Sequence, residues 1–412
     1  MGNQRKFGNL TSLSFRTMAA MALTVFALTA FAAAAHAQSF QVIHTFTGPD
    51  GAIPRAGLSI DRGGKLYGTT YAGHEGSGWG GVYQMRQHGS SWVFGTLQIF
   101  DGQPLDRVVF GPNGTLYGTS PSNLVSYHYG YIFNLRPPLN VCTTVMCNWD
   151  ASVLYGFSGG NDGATPKGAA LVFDRAGNMY GTTTSGGSGN GVVYELSPGG
   201  VQTPIYQFAG SPDGATPYSG VVFDSAGNLY GVTTAGGASS NGAVYELSSN
   251  GGGWTEQVIY SFTGGSDGSN PVGGLVVDGA GNIYGSTANG GSGGGGTVFE
   301  LSPNGGGWSY NLLHSFSGGA NCGPWAEPSF DSAGNLYATT LCDGLTGNGN
   351  VFELVNSGGN FTYSSVYDFT GGNDGKRPYS NVAFDSSGNL YGTTSVGGAD
   401  TSGVVWEITP AR

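Results

Sequence analysis

The sequence predicts an all-β fold, a seven-bladed β-propeller of four-stranded antiparallel blades, and three observations lead to it. A unit typified by Asp213 to Phe262 recurs along the chain. Each copy holds four short apolar runs bounded by turn residues, with no stretch of helical length or 3.6-residue period. The two ends of the array are complementary, one carrying a strand that the other lacks.

Within the type unit the predicted strands are Gly220 to Phe223, Asn228 to Thr234, Ala243 to Leu247 and Gln257 to Phe262. They are rich in Val, Tyr, Phe and Thr, which suit a pleated, half-buried surface. Asp224 to Asn228 forms a short hairpin, with Gly227 in a left-handed conformation and the Asp224 carboxylate accepting from turn amides.

Two independent marks count the units. The Phe that ends the last strand falls at Phe46, Phe100, Phe157, Phe208, Phe262, Phe316 and Phe369. The Tyr of the second strand falls at Tyr67, Tyr117, Tyr180, Tyr230, Tyr284, Tyr337 and Tyr391. Four strands in a unit of this length match a propeller blade. The array opens with a final-type strand, Phe40 to Phe46, and closes with a third-type strand, Gly403 to Ile408. Pairing those two would close the ring by the N-terminal strand and remove its exposed edge.

Residues 1–37 read as a secretory signal, with a basic start (Arg5, Lys6, Arg16), an apolar run from Met18 to Ala35, and small residues before Gln38. An uncleaved anchor is the alternative. Residues 38–412 are then the seven-repeat propeller, secreted or periplasmic, with no transmembrane segment after cleavage. The chain has 14 Lys+Arg, 25 Asp+Glu and a net charge of -11. Loss of the three leader cations leaves 11 against 25, or -14, which makes nucleic acid an unsuitable partner. Only 9% of residues are charged and 78 are Gly, as tight turns in an all-β protein require.

The pattern Asp-Gly-x-x-Pro, Gly-Leu-Val-x-Asp, Gly-Asn-Leu-Tyr-Gly-Thr-Thr, Gly-Gly and Gly-x-Val-Tyr-Glu-Leu resembles the GloVer tandem repeat of exported bacterial proteins described as choice-of-anchor. It is clearest at Asp162 to Leu196, Asp213 to Leu247, Asp267 to Leu301 and Asp374 to Ile408, and degenerate in the second and sixth units. The resemblance implies export and a repeat architecture, and it supplies no catalytic residues. The ending Trp406 to Arg412 departs from anchored members, and a soluble monomer is expected.

In an oxidising compartment the four cysteines are expected to pair, Cys142 with Cys147 and Cys322 with Cys342. A four-cysteine metal site would need both pairs on one face, and no metal or other cofactor is expected. The recurrent Asp-Gly pairs (Asp50, Asp101, Asp162, Asp213, Asp267, Asp374) could ring calcium, but one carboxylate per unit suits turns better. Glu195, Glu246, Glu300, Glu353 and Glu407 repeat at one position of the third strand, which argues for a structural hydrogen bond rather than catalysis. His44 and His314 stand where other units have Tyr and read as packing; His74, His88 and His128 read as scattered loop residues. Gly290 to Gly296 precedes no helix and is a weak phosphate loop.

The positions that vary are those after the loop prolines, which approach the axial opening: Arg55, Leu105, Lys167, Tyr218, Val272, Trp325 and Tyr379, with Asp106, Arg107, Glu327 and Asn381 close behind. Aromatic faces with a few hydrogen-bonding groups in a concave mouth suit a sugar or another small polar ligand, the alternative being unconstrained rim residues. The expected function is an exported binding or interaction module for an extracellular carbohydrate or a cell-surface partner. The alternatives are a hydrolase or lyase using Glu327, Asp106 and Arg107 as acid, base and charge stabiliser, or a structural envelope protein.

Overall fold

Hydrophobic alternation inside each repeat can be buried only by laying one sheet face against the next, and that is how the chain folds. The computed structural model of the chain describes residues 38–74, 79–121, 126–138, 147–168 and 170–410. Among them there is no helix, and seven four-stranded antiparallel sheets follow one another. The fourth is representative, with strands Val222–Phe223, Leu229–Thr233, Ala243–Ser249 and Trp254–Ser261 hydrogen-bonded in chain order. The seventh combines Ala383–Phe384, Leu390–Thr394 and Val404–Thr409 with Ser39–Thr45, so the N-terminal strand completes the last blade as expected. The Phe46 amide donates to Gly403 O at 3.0 Å, a contact repeated in blade four by Phe262 and Gly242 at 3.0 Å.

The core is divided among the blade boundaries. Seven clusters of buried side chains each draw on two adjacent blades. One of them joins Phe46, Tyr391 and Val405 of the last blade to Leu58, Leu66, Tyr83 and Met85 of the first. The second-strand Gly is explained by its opposite number: a Cβ on Gly231 would lie 2.3 Å from Tyr245 Oη. In six blades a β-bulge falls at the same place between third and outer strands, as at Val244/Tyr245, adding local twist.

The repeated glutamates make the structural hydrogen bond inferred from their recurrence. Glu300, Glu353 and Glu407 accept from Tyr284, Tyr337 and Tyr391 at 3.0, 2.6 and 3.0 Å. The hairpin Asp lies on the other side of the hydroxyl, Asp278 being 3.2 Å from Tyr284 Oη. Burial, with these carboxylates added, raises the phenol pKa well above its ordinary value. The hairpins also form as expected: Gly227 has φ of 91°, and Asp224 Oδ1 accepts from Ala226 and Asn228 amides at 2.8 and 2.9 Å. The Asp-Gly carboxylates turn into their own loops. Asp162 accepts from the Ser158 amide at 2.7 Å, the Ser158 hydroxyl at 2.5 Å and Tyr155 Oη at 2.9 Å.

His44 and His314 are packing residues, stacked on Phe94 and Tyr363 at 4.0 Å between ring centroids. Glu256 takes the corresponding slot at the boundary of blades three and four, accepting from Tyr206 Oη at 3.3 Å. Burial, with Asp213 nearby, pushes its carboxyl up to about 7. His74 differs from expectation: it is only 4% exposed and contacts Thr70 Oγ1 at 3.3 Å, because its loop folds back under the first blade.

The innermost strands are shorter than the sequence suggests. Only two residues pair in each, Val222–Phe223 where Gly220 to Phe223 was expected. The residues before them turn from their own sheet toward neighbouring blades, and a Cβ on Gly220 would lie 2.5 Å from Ala170 O of blade three. Second-strand threonines fasten these segments. Thr182 donates to Ser219 O at 2.8 Å, Thr339 to Ser380 O at 2.8 Å, and Thr393 to Ala56 O at 3.2 Å, the last joining blade seven to blade one. Just before the proline, Ile53, Thr165, Thr216, Asn270 and Arg377 all adopt φ of 54° to 60°. Each is clamped by its amide: Thr216 donates to Asn190 O of the preceding blade at 2.7 Å, while its own carbonyl accepts from Thr234 at 3.1 Å.

Cys322 and Cys342 form the disulfide expected of them, with Cα atoms 4.6 Å apart and 20 residues of separation. It ties the loop before the innermost strand to the loop after the second in blade six. Of the other expected pair, Cys142 lies outside the described residues, and no described cysteine is free. Loop-closure entropy for about 20 residues is worth roughly 3 kcal/mol. The double variant Cys322→Ala/Cys342→Ala is therefore expected to lose about that much in urea unfolding; an unchanged midpoint would show that the link constrains nothing.

Candidate functional site

The segments released from the inner strands converge on a cavity of about 350 Å³. Of the nine residues singled out from the sequence, Arg55, Asp106, Arg107, Tyr218, Trp325, Glu327, Tyr379 and Asn381 line it. Lys167 reaches it indirectly, its Nζ lying 5.2 Å from the Tyr218 ring centroid. The seven post-proline positions thus meet at one mouth, with Leu105 and Val272 also in the wall.

The wall has two characters. From blades four, six and seven come Tyr218, Trp325 and Tyr379, arranged edge to face with Trp325 between them, at 6.4 Å from Tyr218 and 5.7 Å from Tyr379. Blades one and two bring Arg55, Asp106 and Arg107. The Arg55 guanidinium sits over Tyr71 and Tyr379, 5.2 Å from each centroid. Asp106 is 3% exposed and accepts from the Thr119 hydroxyl. Burial first, and then Asp106, push the Tyr218 phenol up to about 12, with Arg55 opposing.

An ion pair crosses the opening. Arg107 Nη2 of blade two meets Glu327 Oε1 of blade six at 2.6 Å, and Asn381 Nδ2 of blade seven approaches the same oxygen at 3.5 Å. Both partners are a little over one-quarter exposed, so the pair is partly desolvated and geometrically fixed. Arg107 and Asn381 also line a second cavity of about 400 Å³, walled further along the inner strands by residues such as Ser59, Val109 and Ala383. They form the partition between the two spaces. Two buried polar atoms of the site, Trp325 Nε1 and Asn381 Oδ1, have no hydrogen-bond partner. Both atoms are enclosed by protein, Asn381 Oδ1 being turned onto Gly57.

Sequence reasoning missed two supporting residues. Thr119 holds Asp106 but looks like any second-strand Thr of the repeat. Tyr71, which carries Arg55, stands where other units have Thr184, Thr234 or Ser395, and that lone aromatic was the available signal. Among the described residues no group of three or more His, Cys, Asp or Glu is placed to hold a metal ion.

Solved structures share the architecture. The extracellular domain of a protein assigned as a one-component system from B. thetaiotaomicron superposes with a TM-score of 0.55 at 12% identity, over 89% of this chain and 39% of that one. PorZ, a surface component of the type-IX secretion system of Porphyromonas gingivalis, gives 0.50 at 13% identity, over 89% and 47%. This chain thus spans less than half the length of either. A protein assigned as a gluconolactonase gives 0.43 at 13% identity, over 73% and 86%, too distant to bear on the site. No curated protein matches the sequence. The repeat is matched directly over residues 147–279 and 255–412, and the chain belongs to the Gloeobacter/Verrucomicrobia repeat family.

Proposed function

We propose that this chain is an exported binding module whose axial cavity holds a small saccharide. The observation that carries the reading is the division of the cavity into an aromatic side and a hydrogen-bonding side. A pyranose presents an apolar C–H face to Tyr218, Trp325 and Tyr379, while its hydroxyls face Asp106, Arg107, Glu327 and Asn381. The Cys322–Cys342 disulfide suits export to an oxidising compartment, by way of the leader-like residues 1–37.

The test is calorimetric titration of the purified protein against a panel of oligosaccharides, with product release followed in parallel. Trp325→Ala is expected to weaken binding at least tenfold, about 1.4 kcal/mol, with the far-ultraviolet spectrum and melting unchanged. Full affinity in that variant would move the site away from the axial cavity to the outer loops. Turnover would instead favour a hydrolase or lyase, in which Glu327 and Asp106 must first be released from Arg107 and Thr119 to serve as acid and base.

A further inference from the structure

We infer that the saccharide is anionic, carrying a carboxylate or sulfate that is received by Arg55 and Lys167 at the mouth; this rests on the axial cavity being the binding site. Neither Arg55 nor Lys167 takes part in the ion pairs described, His44 with Asp50 and Arg107 with Glu327. Both are instead held over aromatic rings of the cavity wall, Arg55 on Tyr379 and Tyr71, Lys167 on Tyr218. A guanidinium held over aromatic rings keeps its charge, and its planar fork of N–H donors fits a carboxylate or sulfate. Aromatic support also fixes both cations without neutralising them, as a carboxylate partner would.

The charge balance singles out this mouth. The chain carries 14 Lys+Arg against 25 Asp+Glu, and three of the eleven cations after residue 37 (Arg55, Arg107 and Lys167) meet at one opening. Of the two carboxylates of the site, Glu327 is paired with Arg107 across the axis, and Asp106 lies beneath the surface, 3% exposed, accepting from the Thr119 hydroxyl. A cationic rim over an aromatic wall, on a protein of net charge -11, focuses field on one anionic ligand while the rest of the surface repels anions.

The experiment compares three disaccharides of one ring type by calorimetry: a neutral one, its uronate counterpart and its 6-sulfate. At low ionic strength at least one anionic form is expected to bind tenfold or more tighter than the neutral one. Added salt should shrink that difference, since Arg55 is exposed and Lys167 half-exposed at the rim. Which anionic form wins identifies the acid group. In Arg55→Gln/Lys167→Gln the preference is expected to vanish, whereas Arg175→Gln, in the exposed turn beyond the inner strand Val172–Phe173 and outside the cavity lining, should retain it. The salt dependence in the unaltered protein reads the same effect should the double variant fail to fold. Equal, salt-independent affinity for all three, lost together in Trp325→Ala, would overturn the charge assignment and leave the axial cavity standing. Binding of none would overturn both.

Discussion

Removal of residues 39–46 is expected to abolish the monomeric fold. That segment supplies the outer strand of the seventh blade, and Phe46, fully buried, belongs to the cluster that joins the last blade to the first. Phe40 and Val42 pack on the neighbouring cluster of blades six and seven, and Phe40 stacks on Tyr367 at 3.8 Å. Losing one buried Phe costs about 3–5 kcal/mol. The rest of the strand and its ladder bring the total near the 5–15 kcal/mol that typically separates native from unfolded chains. The Val404–Thr409 strand would also become an open edge, a template for pairing between molecules. Size-exclusion chromatography and thermal melting of the truncated protein test this: aggregation or absence of a cooperative transition is expected. A monomer with unchanged melting would mean that the ring is closed by something other than this strand.

Tyr230→Ala should be almost as damaging although it touches neither a ligand nor the mouth. Tyr230 is 5% exposed, packs in the cluster between blades four and five, and meets Trp308 edge to face at 5.8 Å. Its hydroxyl is 3.3 Å from Asp224 Oδ2 and also reaches Glu246, so truncation opens a cavity and removes the one donor these two carboxylates share. A loss of about 3–5 kcal/mol in chemical denaturation is expected. Tyr230→Phe keeps the ring and should cost only about 1 kcal/mol, the ordinary worth of a hydrogen bond. Equal losses in the two variants would show that the polar triad, and not the ring, holds the boundary.

The scaffold was legible because its signals are local and repeated. Phe262 and Tyr230 mark strand positions that recur at nearly constant spacing, and Glu246 sits directly across the ladder from Tyr230. The mouth was legible in position, since every post-proline residue belongs to the same part of its repeat. Its contacts were not. Arg107 and Glu327 lie 220 residues apart and nothing local to either announces the other. The two-residue inner strands were over-read because apolar pattern does not distinguish pairing within a sheet from packing between blades. The left-handed Ile53, Thr165 and Thr216 run against local rules, which push a residue preceding proline toward extended backbone. Only the amide and carbonyl clamps from two blades explain their conformation.

The short inner strands have a consequence for how such a protein can change. Beyond each two-residue ladder the chain is freed from its own sheet, yet held to within bonding distance of its neighbours by backbone and threonine contacts that use no mouth side chain. Position is thereby separated from identity. A tandem duplication yields seven equivalent places around one opening, and substitution at any of them changes the chemistry of that opening without disturbing strand register. The architecture works as a combinatorial surface, closer in logic to the loops of an antibody than to a pocket carved from a single core. The Tyr, Glu and turn Asp of the scaffold can thus stay fixed while the residues at the opening change.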